Sequence, residues 1–420
     1  MTKIVIISPD TLPLPLTSDA PEFIEENGNK YSMKDKCSRV TGLGNRAWKI
    51  TENLATNTDF DVTVLVPDLN YPGKQYIDTT GLNFKIETYS YKAALWNWSQ
   101  ELDRRLKHCD FVIIQTATGV GFKNCSVLPG NVNVIVDGFV PLYTELPCTI
   151  LSQSTIFKKI LWNTFTDHYT GLLLRANCVL YANDRQSYHY EGQFHAIGKL
   201  DWSSFTFSPL LKIPYGIDKV EMVKRTEDEH TFRLLWLGPV YPWYKPEKIL
   251  DVVPHLKNTT IDFIGVRHPR YTNAYNNFFK KFFEPHQDTH NIIIKEDFHT
   301  TDLDTPGEIY KEYDAGIVLA RDWLEERYAS RSRILDMISY GLPVLTNNTN
   351  SFFNELNFLN DSLYGITSKT LRKDLTKLEE DKSRLRVSQT SHKILQQRLS
   401  WSVIVKDLEE YIRRFSHANG

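Results

Sequence analysis

The segment EERYASRSRILDMISYGLPVLTN, residues 325–347, joins a cluster of charges to a helix and a strand. Three apolar residues recur at helical spacing and can share one buried face: Ile334, Leu335 and Ile338. Gly341 is placed to end this helix, and the apolar run 343–346 that follows is short enough for a buried strand. A helix that leads directly into a buried strand is half of a βαβ unit. The segment therefore predicts an α/β fold with parallel strands.

Short apolar runs, most of them rich in Val and Ile, alternate with helix-like segments along the chain. A first series lies at residues 3–8, 61–66, 110–115, 132–136 and 177–182. A second series lies at residues 233–238, 261–265, 291–295, 314–319 and 343–346. Such runs are typical of parallel strands buried on both faces. Two successive series predict two doubly wound, Rossmann-like domains, which we place at 1–205 and 206–395, followed by a C-terminal helical segment, 396–420.

The bulk composition excludes several classes of protein. A chain of 420 residues exceeds one hydrophobic core, and 49 Lys and Arg residues nearly balance 51 Asp and Glu, which disfavours nucleic acid as a partner. No run approaches the roughly 20 apolar residues of a membrane-spanning helix, and the first residues do not resemble a complete signal peptide. Five scattered cysteines form neither a disulfide framework nor a metal motif. We expect a reduced, cytoplasmic protein.

Open parallel sheets bind ligands outside the carboxyl ends of their strands, so the loops after strands are the candidate sites. TGLGNR, residues 41–46, contains Gly42 and Gly44 before a predicted helix, and helix-terminal amides can receive phosphate. A glycine-rich turn without a ligand is an equal alternative, and the fit to a dinucleotide fingerprint is poor. Asp137 follows the run 132–136 and is either a cleft carboxylate or a helix N-cap.

The loop after the first strand of the second series reads WLGPVYPWYKP, residues 236–246. Gly238 lets a ligand approach the backbone, a base or sugar could stack on Trp243, and Lys245 supplies one positive charge. Hydrophobic cover of the sheet edge is the alternative interpretation of these aromatic residues. LKIPYGID, residues 211–218, is a turn signal when taken alone.

The charged cluster that precedes the helix of the opening segment breaks a local rule. Basic residues at a helix start oppose the macrodipole, which favours anions there. A bound diphosphate would resolve this conflict, because arginine binds phosphate through two parallel hydrogen bonds, and a nearby acid could accept ribose hydroxyls. The alternative is a solvated salt-bridge cluster, for instance Glu326 with Arg331.

Taken in order, these loops resemble the retaining GT-B glycosyltransferases, which use nucleotide sugars. That family typically shows P-N-G-I-D, G-R-x4-K-G, and E-x7-E that leads into A-x-G-x-P-V; the matching pieces here are IPYGID and SYGLPVLT. GNRAWKI and DGFVPLYTE resemble motifs of one bacterial subgroup. The resemblance spans nearly the whole chain. It implies two Rossmann-like domains that face across a cleft, with the C-terminal helix packed back on the N-terminal domain.

The resemblance also implies the roles of particular residues. The implied donor-binding residues are Gly42, Gly44, Gly238, Trp243, Lys245, Arg327, Arg333 and Asp336. The implied catalytic residues are Glu325, Arg331 and Asp137, the last as a positioning group for the acceptor. Two departures matter: the family's Arg and Lys after the glycine loop are not in place, and Tyr328 stands eight residues before Asp336 where the first acid of E-x7-E belongs.

The implied reaction is retaining transfer of a sugar from a nucleoside-diphosphate sugar to a hydroxyl acceptor, which a lipid could carry, without metal or cofactor. Bacterial cell-envelope polysaccharide or glycolipid assembly and natural-product glycosylation both fit. The alternatives are a catalytically inactive GT-B-like binding subunit and a sugar-nucleotide epimerase of the same fold. Peripheral membrane contact, at the inner face of the membrane, stays open. Two basic and aromatic segments, 156–165 and 277–283, suit a lipid interface, or are core helices with solvated lysines.

Overall fold

The computed structural model describes most of the chain: residues 1–8, 12–26, 29–33, 42–67, 74–90, 105–116, 128–141, 143–144, 155–200, 208–222, 231–267, 272–296, 306–347, 351–359, 362–367, 369–380 and 384–418. It consists of two compact units. Unit 1 comprises Met1–Gly216 and Trp401–Gly420, and unit 2 comprises Ile217–Ser400. The domain limits predicted from the sequence, at residues 205 and 395, lie earlier in the chain than these two divisions.

Unit 1 is built on a seven-stranded parallel sheet with the order β5-β4-β1-β6-β7-β8-β9. Its strands, with those of a separate antiparallel hairpin (β2 and β3), are β1 Thr2–Ile7, β2 Phe23–Glu26, β3 Asn29–Ser32, β4 Phe60–Pro67, β5 Lys85–Tyr89, β6 Phe111–Gln115, β7 Asn133–Asp137, β8 Cys178–Tyr181 and β9 Leu210–Lys212. The helices described before the chain enters unit 2 are α1 Gly42–Leu54, α2 Thr155–Arg175 and α3 Asp184–Ala196.

Unit 2 is built on a six-stranded parallel sheet with the order β12-β11-β10-β13-β14-β15. Its strands are β10 Phe232–Leu237, β11 Thr259–Ile264, β12 Ile292–Lys295, β13 Ala315–Val318, β14 Val344–Asn347 and β15 Leu363–Ile366. Its described helices are α4 Glu247–Val252, α5 Thr272–Phe282, α6 Leu324–Tyr328, α7 Ser332–Ser339, α8 Ser351–Glu355, α9 Leu371–Glu380 and α10 Arg384–Leu399.

The last helix, α11 Trp401–Ala418, belongs to unit 1, as predicted. Gly216 makes its close packing possible, because a Cβ at that position would lie 2.5 Å from the Trp401 ring and 2.8 Å from Ile404. Tyr215 meets the same Trp401 ring edge-on at a centroid distance of 5.2 Å. The Tyr-Gly pair of the IPYGID motif therefore serves the packing of α11.

Helix α7 and strand β14 confirm the interpretation of the opening segment. The three apolar side chains predicted to share one face are at most 1% exposed: Ile334, Leu335 and Ile338. Gly341 ends the helix with a φ of +83°, which L side chains rarely adopt, and a Cβ there would meet Met222 Cγ at 2.6 Å.

The glycine-rich loop before the first helix differs from its prediction. Helix α1 begins at Gly42, so Gly44 is buried inside its first turn and does not lie in a loop. The long connection 9–40 contains the β2–β3 hairpin, and parts of it lie outside the described residues. Among the helices that the structure describes, none combines the length and the apolar character needed to cross a bilayer.

Candidate active site

Three neighbouring strands of unit 2 bring the charged segments and the Gly238 loop to one edge of the sheet. Strands β10, β13 and β14 are adjacent and parallel, so their carboxyl ends meet there. Gly238 follows β10 with a φ of +95°, in the left-handed region. Its carbonyl accepts a hydrogen bond from Trp236 Nε1 at 3.2 Å, and its amide donates to Ile264 O at 2.8 Å. Both contacts fix the backbone at this turn.

Arg333, in the first turn of α7, reaches directly under the Gly238 loop. Its Nη2 donates to Pro239 O at 3.0 Å, and a Cβ added at Gly238 would lie 3.3 Å from the same nitrogen. The guanidinium also lies over the Tyr244 ring at 4.6 Å. Its Nη1 is buried and has no hydrogen-bond partner among the described residues. Arg333 therefore packs closely against Gly238 and keeps one buried donor without a hydrogen-bond partner among the described residues.

Asp336 lies one helical turn after Arg333 on α7. Its side chain is exposed to solvent, while neighbouring protein atoms reduce its hydration. The resulting loss of hydration raises its pKa to about 7; repulsion from Asp218 adds to this rise, and Arg333 opposes it. Asp218 belongs to the IPYGID motif, which is a turn signal when taken alone and one of the pieces that carry the family resemblance. Tyr340 stacks on Tyr310 at a centroid distance of 4.7 Å and interacts electrostatically with the Asp336 carboxylate.

Arg331 does not have the surroundings of an anion-binding group. Its guanidinium binds both oxygens of Glu325, at 2.9 and 2.7 Å, and Oε2 of Glu326 at 2.5 Å. All three side chains are buried, with exposures of 6% or less. Two carboxylates neutralise a single cation, so this geometry argues against the predicted catalytic roles of Glu325 and Arg331. It matches the alternative of a salt-bridge cluster, except that the cluster is buried and not solvated.

The other predicted donor-binding residues of unit 2 differ in exposure and in the contacts of their side chains. Lys245 is partly exposed, and its ammonium has no partner within the part of the chain that the structure describes. Trp243 is only 7% exposed and stacks on Tyr241 at 4.5 Å with an interplanar angle of 5°, so another aromatic ring covers one of its faces. Arg327 is exposed on the short helix α6.

In unit 1, Asp137 ends strand β7 and is buried by a partner that the sequence did not reveal. Arg46 Nε lies 3.1 and 2.8 Å from the two carboxylate oxygens, and both side chains are almost inaccessible. The other guanidinium nitrogens of Arg46 donate to the carbonyls of Ile213 and Pro214 at 2.9 and 2.8 Å. Asp137 therefore links β7, α1 and the segment after β9. It is neither an exposed cleft carboxylate nor a helix N-cap, which corrects both interpretations.

Gly42 and Gly44, the two glycines of α1, lie at a helix start that is held by hydrogen bonds within unit 1. Gly44 is buried within the helix, while Gly42 is exposed and a Cβ there would meet nothing within 4 Å. The adjacent Asn45 donates to the Tyr215 hydroxyl at 2.9 Å, and Gln115 Nε2 donates to Leu43 O at 3.0 Å. These bonds fix the start of α1 against the ends of neighbouring strands, but they do not show a ligand site.

Comparison with known proteins establishes the fold. Sucrose-phosphate synthase from Thermosynechococcus elongatus is similar with a TM-score of 0.69 at 12% identity, over 100% of both chains. HepE from Anabaena, solved with UDP and glucose, has a TM-score of 0.63 at 12% identity, over 98% of this chain and 100% of its own. A glycosyltransferase from Rickettsia africae has a TM-score of 0.55 at 12% identity, over 98% and 97%. The chain has the GT-B fold of these proteins, as predicted.

No protein-family model matches the chain, and no curated protein matches its sequence.

Proposed function

We propose that the protein is a retaining glycosyltransferase that moves a sugar from a nucleoside-diphosphate sugar to a hydroxyl acceptor. The fold is shared with glycosyltransferases along the whole chain, and HepE binds UDP and UDP-glucose. The observation that carries the proposal is Arg333, whose guanidinium lies against the Gly238 loop with one buried N–H unused. A diphosphate is the ligand that such a donor and such a backbone turn would suit.

Arg333 takes the place of the family's basic residues after the glycine loop, but it reaches that loop from helix α7. Positive charge at this point stabilises the negative charge that develops on the leaving diphosphate while the sugar becomes cationic. Lys245, whose ammonium has no partner among the described residues, is the second candidate for the same anion. Arg331 is not needed for this role, because its charge is already neutralised by two carboxylates.

Asp336 would accept hydrogen bonds from the ribose hydroxyls of the donor. It lies one turn from Arg333 on the same helix, and the two groups interact electrostatically. In the front-face route to retention, the departing phosphate takes the proton of the acceptor hydroxyl, so the protein need not supply a strong base. Asp137 then acts through the buried contact with Arg46 and positions strand β7 and helix α1.

Isothermal titration with UDP tests this proposal. We expect Arg333→Gln to weaken UDP binding by about tenfold to a hundredfold, the value of a charge-assisted hydrogen bond. Lys245→Gln should have a smaller effect, because a lysine ammonium is a strongly hydrated point charge. Lys248→Gln is the matched control, since Lys248 lies at the start of α4 and pairs with Asp251 at 3.2 Å.

Binding of uridine, which lacks the phosphates, separates the diphosphate contact from general damage to the site. Uridine affinity should be nearly unchanged in Arg333→Gln. If Arg333→Gln and Lys248→Gln bind UDP equally well, Arg333 does not hold the diphosphate and the proposed donor site is wrong. GDP and TDP in the same titrations identify the base, which the residues described above do not specify.

A nucleotide-sugar-binding protein without catalytic activity is the second candidate. The pairing of Glu325 with Arg331 favours it, because both carboxylate oxygens of the acid predicted for the first position of E-x7-E are already bound to the guanidinium. Hydrolysis of a labelled donor distinguishes the two: slow turnover supports the transferase, and tight binding without turnover supports the inactive protein. Independence from metal, a cytoplasmic location and a role in envelope polysaccharide, glycolipid or natural-product assembly stay proposals from the resemblance and the cysteine pattern.

A further inference from the structure

The first half of α2 is apolar but only partly covered by unit 1: Phe165 packs against the core and Trp162 contacts Tyr143 at 5.7 Å, while the start of the helix is exposed. None of the side chains from Thr155 to residue 168 is buried, and the first buried side chain of the helix is Tyr169. This half nevertheless carries six large apolar residues: Ile156, Phe157, Ile160, Leu161, Trp162 and Phe165. Four of the eleven large apolar side chains that the described chain exposes lie on this one helix. Large apolar side chains that cluster in the exposed first turns of a helix are typical of an interaction surface.

The most exposed residues form one patch at the start of the helix, which we call the α2 patch and define as Ile156, Phe157, Lys158, Lys159 and Ile160. The three apolar members are 74%, 47% and 55% exposed. Ile156 and Ile160 are four residues apart, and Lys159 lies three residues after Ile156, so these side chains share one face.

The α2 patch is positively charged. Lys159 is exposed and Lys158 partly exposed, and neither forms an ion pair or hydrogen bond with a described residue. No acidic residue occurs between residues 155 and 166. Exposed aliphatic and aromatic groups beside unpaired lysines are the combination that an anionic lipid surface binds, through burial of apolar area and attraction to headgroups.

Helix α5 is the other basic and aromatic segment, and its phenylalanines contact one another and the core. Its lysines Lys280 and Lys281 are exposed, but Phe278 and Phe282 pack on each other at 4.7 Å. Phe283, just after the helix, is fully buried against Phe263 of β11 at 5.1 Å. Among the described side chains of the two segments, the phenylalanines at 278–283 are half-buried or buried, whereas Phe157 at the start of α2 is 47% exposed.

We propose that the α2 patch binds the surface of a membrane that contains anionic phospholipid. The patch would lie in the headgroup region, with Ile156, Phe157 and Ile160 in contact with acyl chains and the two lysines at the phosphates. The inference rests on the proposed function only in one respect: a lipid-linked acceptor would be found at such a surface. The contact itself does not depend on donor binding.

Sedimentation of the full chain with vesicles tests the proposal. The probe is a set of vesicles with and without about one third phosphatidylglycerol in phosphatidylcholine. We expect Ile156→Glu combined with Ile160→Glu to lower the bound fraction at least about tenfold. Lys158→Gln combined with Lys159→Gln should lower binding about fivefold for each lysine, and only on the anionic vesicles.

Leu174→Glu is the matched control. Leu174 is 50% exposed on the same helix, fourteen residues, or about 21 Å, beyond Ile160, so its replacement should leave vesicle binding unchanged. All the replaced side chains are on the surface, so thermal unfolding followed by circular dichroism should show the same Tm for each variant.

Three results would overturn the proposal: no sedimentation of the natural chain with anionic vesicles, equal losses in Leu174→Glu and the double isoleucine variant, or a natural dimer that the double isoleucine variant dissociates. The last result would assign the patch to a second copy of the chain. UDP titration of the same variants keeps this test separate from the donor proposal. If the natural chain binds UDP but not vesicles, the membrane proposal is wrong and the donor proposal is unaffected.

Discussion

Asp336 gives the proposed donor site a dependence on pH near neutrality. Its pKa is raised from 3.8 to about 7 by loss of hydration, so in the free protein the carboxyl is largely protonated at pH 6 and largely ionised at pH 8. The ionised form accepts hydrogen bonds from two hydroxyls, whereas the protonated form has one oxygen fewer for that purpose. We expect the affinity for UDP-glucose to rise with pH through about 7 and to level off above it.

Titration calorimetry with UDP-glucose between pH 5.5 and 8.5 measures this effect, because the substituted diphosphate does not titrate in that range. Asp336→Asn cannot ionise, so its affinity should be lower at pH 8 and nearly flat across the range. The contribution of Asp336 to stability should also fall as pH rises from about 4 to 7, since the unfolded chain ionises this group first. If the affinity of the natural protein depends on pH as little as that of Asp336→Asn, the Asp336 carboxylate does not take part in donor binding.

For single residues, the sequence predicted their positions at strand and helix ends better than the side chains that they contact. The resemblance implied catalytic roles for Asp137 and Arg331, but both are paired with buried side chains of opposite charge. The partner of Asp137 is Arg46, which is 91 residues away in sequence and contacts it only because α1 packs across the end of β7. Such a pairing follows from the tertiary structure, so it cannot be predicted from the periodicity of a single sequence.

At the scale of elements, the buried cluster of Arg331 with Glu325 and Glu326 ties α6 to the start of α7. We expect Arg331→Met to lower the free energy of unfolding by about 3–5 kcal/mol, because two acids would remain buried without a counter-charge. Amide hydrogen exchange over residues 324–331 should become faster, while exchange in β13 and β14 changes less. Urea unfolding and exchange mass spectrometry measure the two effects.

The control combines Arg331→Met with Glu325→Gln and Glu326→Gln, which removes the uncompensated charge and should recover much of the lost stability. Arg333→Gln is a second comparison on the same helix, and it should cost less stability, since no buried acid depends on Arg333 alone. If Arg331→Met abolished UDP binding without a loss of stability, Arg331 would be the anion-binding group after all.

Strands at sheet edges are harder to predict from the sequence than strands inside a sheet, because they lack a continuous apolar run. All ten predicted runs became strands within about two residues of their expected limits. Nine of them lie inside the sheets, where strands are apolar on both faces, and β12 alone among them lies at an edge. The missed strands β5 and β15 lie at sheet edges, where side chains meet solvent on at least one side. In β5 only Tyr89 is buried, so no continuous apolar run marks this strand.

At the scale of the whole molecule, the chain enters and leaves unit 2 at adjacent points. Ile217 N donates to Leu399 O at 2.8 Å, and Ile217 pairs in parallel with Ser400. A fragment of residues 217–400 would therefore begin and end at hydrogen-bonded neighbours. It would also retain its own six-stranded sheet and the helices described within it. These features predict that unit 2 folds by itself.

The candidate donor residues that survive the structural description all lie in this fragment: Gly238, Lys245, Arg333 and Asp336. We therefore expect residues 217–400, expressed alone, to unfold cooperatively in urea and to bind UDP within about tenfold of the full chain, a difference of about 1.4 kcal/mol. Arg333→Gln in the fragment should weaken binding as it does in the full chain. A fragment that folds cooperatively but shows no UDP binding would mean that the residues of unit 2 alone do not form the nucleotide site.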